Sequence, residues 1–307
     1  MKKLIAWIGA AALAFSLTAC GGAASSASKA ASSPSALASA PAASTAASSA
    51  SKAEPAPAAS AEATVSEQVL YENNGLKITA KSLEQGGWLG PELKVLVEND
   101  GAQDVTVQVR RASVNGYMTD PSFSCDVTAG KKVNDTISLM DSTLEECGID
   151  TITDIEFSFH VFDAKSWDTV DDSEIIHLQT SAAGSYQQVY DDAGTVLVDQ
   201  AGVKIVYRAL ETDGLMGPRI MLYLENNTEQ AITVQQRDMS INGFMIDGIF
   251  SCELEPGKKA VSDISMFDSD LEENGITALE TVDLSFHVFT TDGWNTLFDT
   301  DTVTIDF

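Results

Sequence analysis

From Leu76 onward apolar and polar positions alternate with a period of two. Leu76, Ile78 and Ala80 are separated by Lys77 and Thr79. Leu93, Val95 and Val97 flank Lys94, and Val105, Val107 and Val109 alternate with Thr106 and Gln108. Residues 133–140, 155–162 and 174–178 continue the pattern. This period turns one side of an extended chain to a core and the other to solvent, so each stretch predicts a half-buried β-strand. Asn115-Gly116 suits a type I′ hairpin, whose two central residues both need positive φ. Gly90-Pro91 and Ala129-Gly130 mark other turns. One short helix is expected from Asp141, with Ser142 as cap, Glu145 three places on and Gly148 as stop.

The pattern then recurs. Shifting the chain by 127 residues lays Val196–Phe307 on Val69–Thr180 without a gap, with 45 of 112 positions identical. Gly217-Pro218 falls on Gly90-Pro91, Phe250-Ser251-Cys252 on Phe123-Ser124-Cys125, and Ser285-Phe286-His287-Val288-Phe289 on Ser158-Phe159-His160-Val161-Phe162. Asn242-Gly243 repeats the hairpin turn and Asp268–Gly275 the helix. Roughly seven to nine short strands per copy predict an all-β fold of two antiparallel sandwiches. The copies are placed at 64–180 and 196–307, and the short join 181–195 keeps them close.

Ahead of the repeats the character changes. Lys2 and Lys3 precede an apolar run, Leu4 to Phe15, too short to span a bilayer permanently. Leu17-Thr18-Ala19-Cys20 and Gly21-Gly22 follow. This order resembles the bacterial lipobox. The resemblance implies cleavage of residues 1–19, a diacylglyceryl group on the Cys20 sulfur, and a chain held to the cell membrane and facing outside the cytoplasm. Two acyl chains suffice as an anchor, since each buried methylene contributes about 0.8 kcal/mol. Residues 20–63 are nearly all Ala, Ser and Pro, a composition with too little apolar surface to order. They read as a spacer.

Taken together, the lipobox, the Ala/Ser tether and the strand Leu93–Asn99, paired with Ile220–Asn226, resemble surface lipoproteins of Gram-positive bacteria with tandem immunoglobulin-like domains. The resemblance implies the fold and no reaction. No cysteine pair flanks a tryptophan within either copy, so the antibody-type signature is missing.

Charge narrows the partners. Lys and Arg total 18 against 45 Asp and Glu, a net charge of −27, which repels phosphate backbones and argues against nucleic acid. Nucleophile elbow, phosphate-loop and zinc-protease motifs are missing, and no cofactor or metal site is indicated. His160 and His287 lack convergent partners in the sequence and read as structural or surface residues. Cys125 and Cys252 read as buried small apolar residues. A Cys125–Cys147 disulfide stays open, although Cys147 falls opposite Asn274.

Candidate contact residues come from the loops. Trp88 lies among glycines, and Tyr117 and Met118, with Phe244 and Met245, follow the Asn-Gly turns. Lys131 and Lys132, with Lys258 and Lys259, form a basic spot after a turn glycine. Packing or simple solvation is the competing account of each. Trp167 and Trp294, near a strand end, are read as core caps, with exposed ligand stackers as the alternative. The combination points to a non-catalytic surface binding or adhesion module, with an envelope or host-surface protein or glycan as partner. The alternative is a structural or accessory subunit of a cell-envelope complex.

Overall fold

The computed structural model describes residues 62–307. The expected signal segment, Cys20 and most of the expected spacer lie outside the described residues. Among those described, no helix is long and apolar enough to cross a membrane.

The chain is all-β with antiparallel sheets. Copy 1 contains β1 (Gln68–Asn73), β2 (Leu76–Glu84), β3 (Glu92–Asn99), β4 (Val105–Val114), β5 (Tyr117–Met118), β6 (Ser124–Val127), β7 (Lys131–Ser138), α1 (Asp141–Glu146), β8 (Asp154–Asp163), β9 (Thr169–Asp172) and β10 (Ile176–Gln179). Copy 2 repeats the order as β11 (Thr195–Gln200), β12 (Val203–Glu211), β13 (Arg219–Asn226), β14 (Ile232–Ile241), β15 (Phe244–Met245), β16 (Ser251–Leu254), β17 (Lys259–Ser265), α2 (Asp268–Glu273), β18 (Thr281–Thr290), β19 (Thr296–Asp299) and β20 (Val303–Asp306). Ten strands per copy slightly exceed the expected number, because short pieces such as β5 carry no period of their own.

In copy 1 a four-stranded sheet runs β1-β2-β3-β7. The other six strands gather around the β4–β8 pair, with β5 and β6 on β4, and β9 and β10 on β8. The alternation works as the sequence indicates. Ile78, Leu93, Val95 and Val97 face inward from the first sheet, and Ile155, Phe157, Phe159 and Val161 from the second, into one core. Ile205, Ile220, Leu222 and Leu224 meet Val282, Leu284, Phe286 and Val288 in the same way in copy 2. Ala63 and Val65 also belong to the first core, so ordered packing begins before the expected boundary at 64.

Local chemistry accounts for the ends of elements. Asn115 and Gly116 have φ of 49° and 82°, and Asn242 and Gly243 have 49° and 83°, as the hairpin turn requires. Helix α1 stops at Gly148 (φ 62°), where Gly148 N donates to Glu145 O at 3.0 Å and Ile149 N to Leu144 O at 2.8 Å. This left-handed glycine closure satisfies two terminal carbonyls. Ser142 is not the cap. The cap lies two residues earlier, at Met140, and makes no side-chain cap bond. Gly90 (φ 134°) is obligatory, since a Cβ there would lie 2.1 Å from Leu139 O.

The copies are not independent beads on the join. Residues 62–307 fall within one compact unit. Lys259 N donates to Gly116 O at 3.0 Å as β5 pairs in parallel with β17. One ten-stranded sheet therefore runs from the six strands of copy 1 into the four-stranded sheet of copy 2. Val206 and Tyr223, on the outward side of that sheet, belong to the core of copy 1. The segment 181–195 is part of this junction. Tyr190 packs its ring on Tyr117 at 5.3 Å and donates its hydroxyl to Asn115 O at 3.0 Å.

Candidate binding face

Strand β8 directs Phe157, Phe159 and Val161 into the core, so Ser158, His160 and Phe162 face outward. Phe162 is 4% exposed yet lies outside the core cluster. What covers it is a row of rings. The Trp167 indole stacks on it with centroids 5.3 Å apart and planes 17° apart. His160 flanks it at 5.4 Å. The His160 imidazole is in turn held through Nδ1 by an Asp172 carboxylate oxygen at 2.5 Å, across the β8–β9 pair.

Copy 2 builds the same row. Trp294 stacks on Phe289 at 5.4 Å and 14°, His287 flanks Phe289 at 5.0 Å, and His287 Nδ1 meets Asp299 at 2.6 Å. Both tryptophans hold positive φ, 65° and 57°, an uncommon state for a bulky side chain. Their outer faces stand in solvent, 73% and 76% exposed.

The polar fringe follows from register. Gln108 lies opposite His160 on one side and opposite Ser124 on the other. Thr106 lies opposite Phe162, and Arg110 opposite Ser158. Ten outward residues of this sheet are identical in copy 2: Thr106, Gln108, Arg110, Ser124, Ser158, His160, Phe162, Trp167, Thr169 and Asp172 recur 127 places on. The outward centre of the four-stranded sheet does not recur. Thr79, Lys94, Leu96 and Asn134 become Val206, Met221, Tyr223 and Val261, an apolar set turned toward the junction.

The expected contact residues are scattered. Trp88 is 95% exposed on its glycine loop, and its counterpart Leu215 is fully open. Tyr117 is corrected from contact residue to junction residue: it is 1% exposed, edge-on to Tyr223 at 6.4 Å. Met118, partly buried, packs against the core of copy 2. Phe244 and Met245 are exposed. Lys131 is exposed, and Lys132 pairs with Glu98 at the surface. Lys258 is instead consumed internally, with its ammonium 2.6 Å from Glu156, and Lys259 lies over the Tyr190 ring at 4.2 Å. The two basic spots are thus equivalent in sequence and different in use.

Trp167 and Trp294 are the main correction. They do not cap cores; each caps only one surface ring. The sequence signal was present, since Trp recurs at a fixed distance after the Ser-Phe-His-Val-Phe strand, but the alternation that marks the core says nothing of what stands on the other side. The Asp172 and Asp299 partners of the histidines were likewise obscured by acidic neighbours that differ between the copies.

Other polar sites serve structure. Tyr71 donates its hydroxyl to Asp171 at 2.5 Å and Asn73 adds a bond at 2.9 Å, which holds the Asp171 carboxyl below its usual range. Cys125, Cys147 and Cys252 are all free and buried, so the Cys125–Cys147 bond is not formed. Burial pushes the thiols up, to about 12 for Cys125, about 11 for Cys147 and about 12 for Cys252. Such thiols are poor nucleophiles near neutrality. Among the described residues no group of three metal-ligating side chains converges.

No family model and no curated protein matches the chain. Among solved structures, a protein of unknown function from Porphyromonas gingivalis W83 aligns at 10% identity over 71% of this chain and 91% of its own, with a TM-score of 0.19. Red sea bream transglutaminase aligns at 10% identity over 73% of this chain and 30% of its own, with a TM-score of 0.18. Likeness at this level carries no argument, and the functional reading rests on the residues above.

Proposed function

We propose that this chain is a lipid-anchored, extracytoplasmic, non-catalytic binding module whose contact surface is the outward face of each six-stranded sheet. In this reading Cys20 carries the lipid and residues 20–63 lift the folded part off the membrane. Repeats 64–180 and 196–307 are immunoglobulin-like sandwiches that present the two faces. The partner is a component of the envelope or of a host surface.

One observation carries the reading. Outward residues away from an interface are weakly constrained by stability, with substitutions usually within about 0.5 kcal/mol. After duplication they are free to diverge, yet ten on this face are the same in both copies, and seven of these, all but Thr106, Ser158 and Phe162, are not buried. The outward centre of the other sheet changed to suit the junction. A requirement shared by both copies, and not by the fold, explains the contrast.

The test is retention of envelope material and of host-surface material on the immobilised full-length chain. Retention lost in the Trp167→Ala, Trp294→Ala double variant supports the reading. Absence of retention, or retention that the double variant leaves unchanged, overturns it. The docked junction also suits a structural or accessory subunit. A strain lacking the protein that shows weakened envelope integrity, while the double variant restores it fully, would favour that second reading.

A further inference from the structure

We infer that each face is a saccharide-binding platform, with Trp167 and Trp294 as its stacking planes; this deepens the reading above and rests on it. A pyranose ring is amphipathic in a particular way. Its axial C–H groups form an apolar face about the size of an aromatic ring, while its hydroxyls around the rim each donate and accept hydrogen bonds. A receptor for it needs an open, rigid aromatic plane beside polar groups of both kinds.

Both faces supply this. One side of each indole is covered by a phenylalanine at 5.3 or 5.4 Å, and the side chain is otherwise 73% or 76% exposed. The plane is fixed from behind, because the phenylalanine leans on a histidine that a carboxylate holds at 2.5 or 2.6 Å. Such a plane loses little freedom on binding, which favours affinity. On the same face, Gln108 stands opposite His160, Ser124 opposite Gln108 and Arg110 opposite Ser158; these three side chains offer donors and, in the first two, acceptors as well.

The alternatives fit less well. A phosphate polymer meets a chain of net charge −27. A cationic peptide meets an exposed arginine on the face it would use, Arg110 in copy 1 and Arg237 in copy 2, the latter already 4.0 Å from the Asp299 carboxylate. A purely apolar ligand would leave the retained polar groups without partners. An uncharged, polyhydroxylated ligand satisfies all of them. Two such sites on one chain suit a repeating polymer, for which two weak contacts add to strong retention.

The experiment titrates the full-length chain with maltotetraose, cellotetraose, chitotetraose and the polysaccharide fraction of the producing cell, read by calorimetry and by tryptophan fluorescence in a Trp88→Phe background. The expected result is binding of at least one saccharide with a change in tryptophan emission. Affinity should fall roughly tenfold or more in the Trp167→Ala, Trp294→Ala variant, with substantial recovery in the Trp→Phe pair, which keeps a plane. If envelope retention depends on these tryptophans but no saccharide binds, the saccharide assignment is overturned and the binding-face reading survives. If a saccharide binds with equal strength to the double variant, the platform is overturned. If both retention and saccharide binding fail, both proposals fall.

Discussion

Strands β3 and β13 occupy the same place in their copies and meet different surroundings. Strand β3 buries every second residue, while β13 buries five in succession, Ile220 to Leu224. In β3 the outward positions are Lys94 and Leu96; in β13 they are Met221 and Tyr223. The inward residues barely differ in character. What changed is the side that copy 1 covers, where Tyr223 joins Val206 in the core of the other copy. A run of apolar residues at outward strand positions, as at Met221 and Tyr223, is therefore a sign of a second packing layer, and Lys94 beside the half-buried Leu96 in β3 marks an open face. The six-stranded sheets give the converse, for there Gln108, Arg110, Ser124, His160, Trp167, Thr169 and Asp172 are kept although none of them is buried.

The largest expected effect is at the junction. Tyr223→Ala should cost about 3–5 kcal/mol in urea unfolding of the full-length chain, as for other large aromatic truncations. Leu96→Ala, its counterpart on the open face, should cost roughly 1 kcal/mol or less, because little is buried there. Equal losses would break the comparison. Thiol alkylation mapped by peptide sharpens it. Cys125, Cys147 and Cys252 should resist iodoacetamide at pH 7.5, since burial raises all three thiols. Cys147 lies against the junction, with Val261 as a hydrogen-bonding neighbour. It should be the first to react in Tyr223→Ala.

The lysine pair gives a smaller contrast. Lys258→Ala leaves Glu156, whose side chain is only 18% exposed, with His177 at 3.5 Å in place of the closer ammonium, and should cost about 1–2 kcal/mol. Lys131→Ala at the exposed equivalent should stay within about 0.5 kcal/mol. Smallest is the acid response. Tyr71 and Asp171 form a polar clasp in copy 1, where copy 2 has Val198 and Phe298. The Asp171 carboxyl is depressed by the Tyr71 hydroxyl, so its contribution is present above the ordinary carboxylate range and lost as pH falls through the lowered value. The group is largely solvated, so the loss should be under about 1 kcal/mol. Asp171→Asn should flatten that part of the stability–pH curve, while Val198→Ala changes stability equally at every pH.

Much of this fold was legible because two periods coincide, the two-residue alternation within strands and the 127-residue repeat. Leu93, Val95 and Val97 identify an inward face, and Asn115-Gly116 fixes a hairpin by backbone geometry alone. The junction was harder to read. It depends on Met221, Tyr223, Val206 and Val261 being apolar at outward positions, a signal visible only when each copy is compared with the other by strand face. The binding face was missed for a similar reason. Trp167 looked like a core cap because tryptophan is large and apolar, whereas its place one loop beyond β8, on the outward side, is set by strand pairing that residue composition does not carry. Asp172 gained meaning only when β9 brought it beside His160.

The central claim is that contact with the surface partner is made by the two retained faces. Hydrogen–deuterium exchange of the full-length chain, with and without the envelope fraction it retains, tests this directly. The account predicts new protection in 106–110 and 160–172 and in the matching 233–237 and 287–299. Protection confined to the Trp88 loop or to the Phe244-Met245 hairpin, with both faces unchanged, would contradict it.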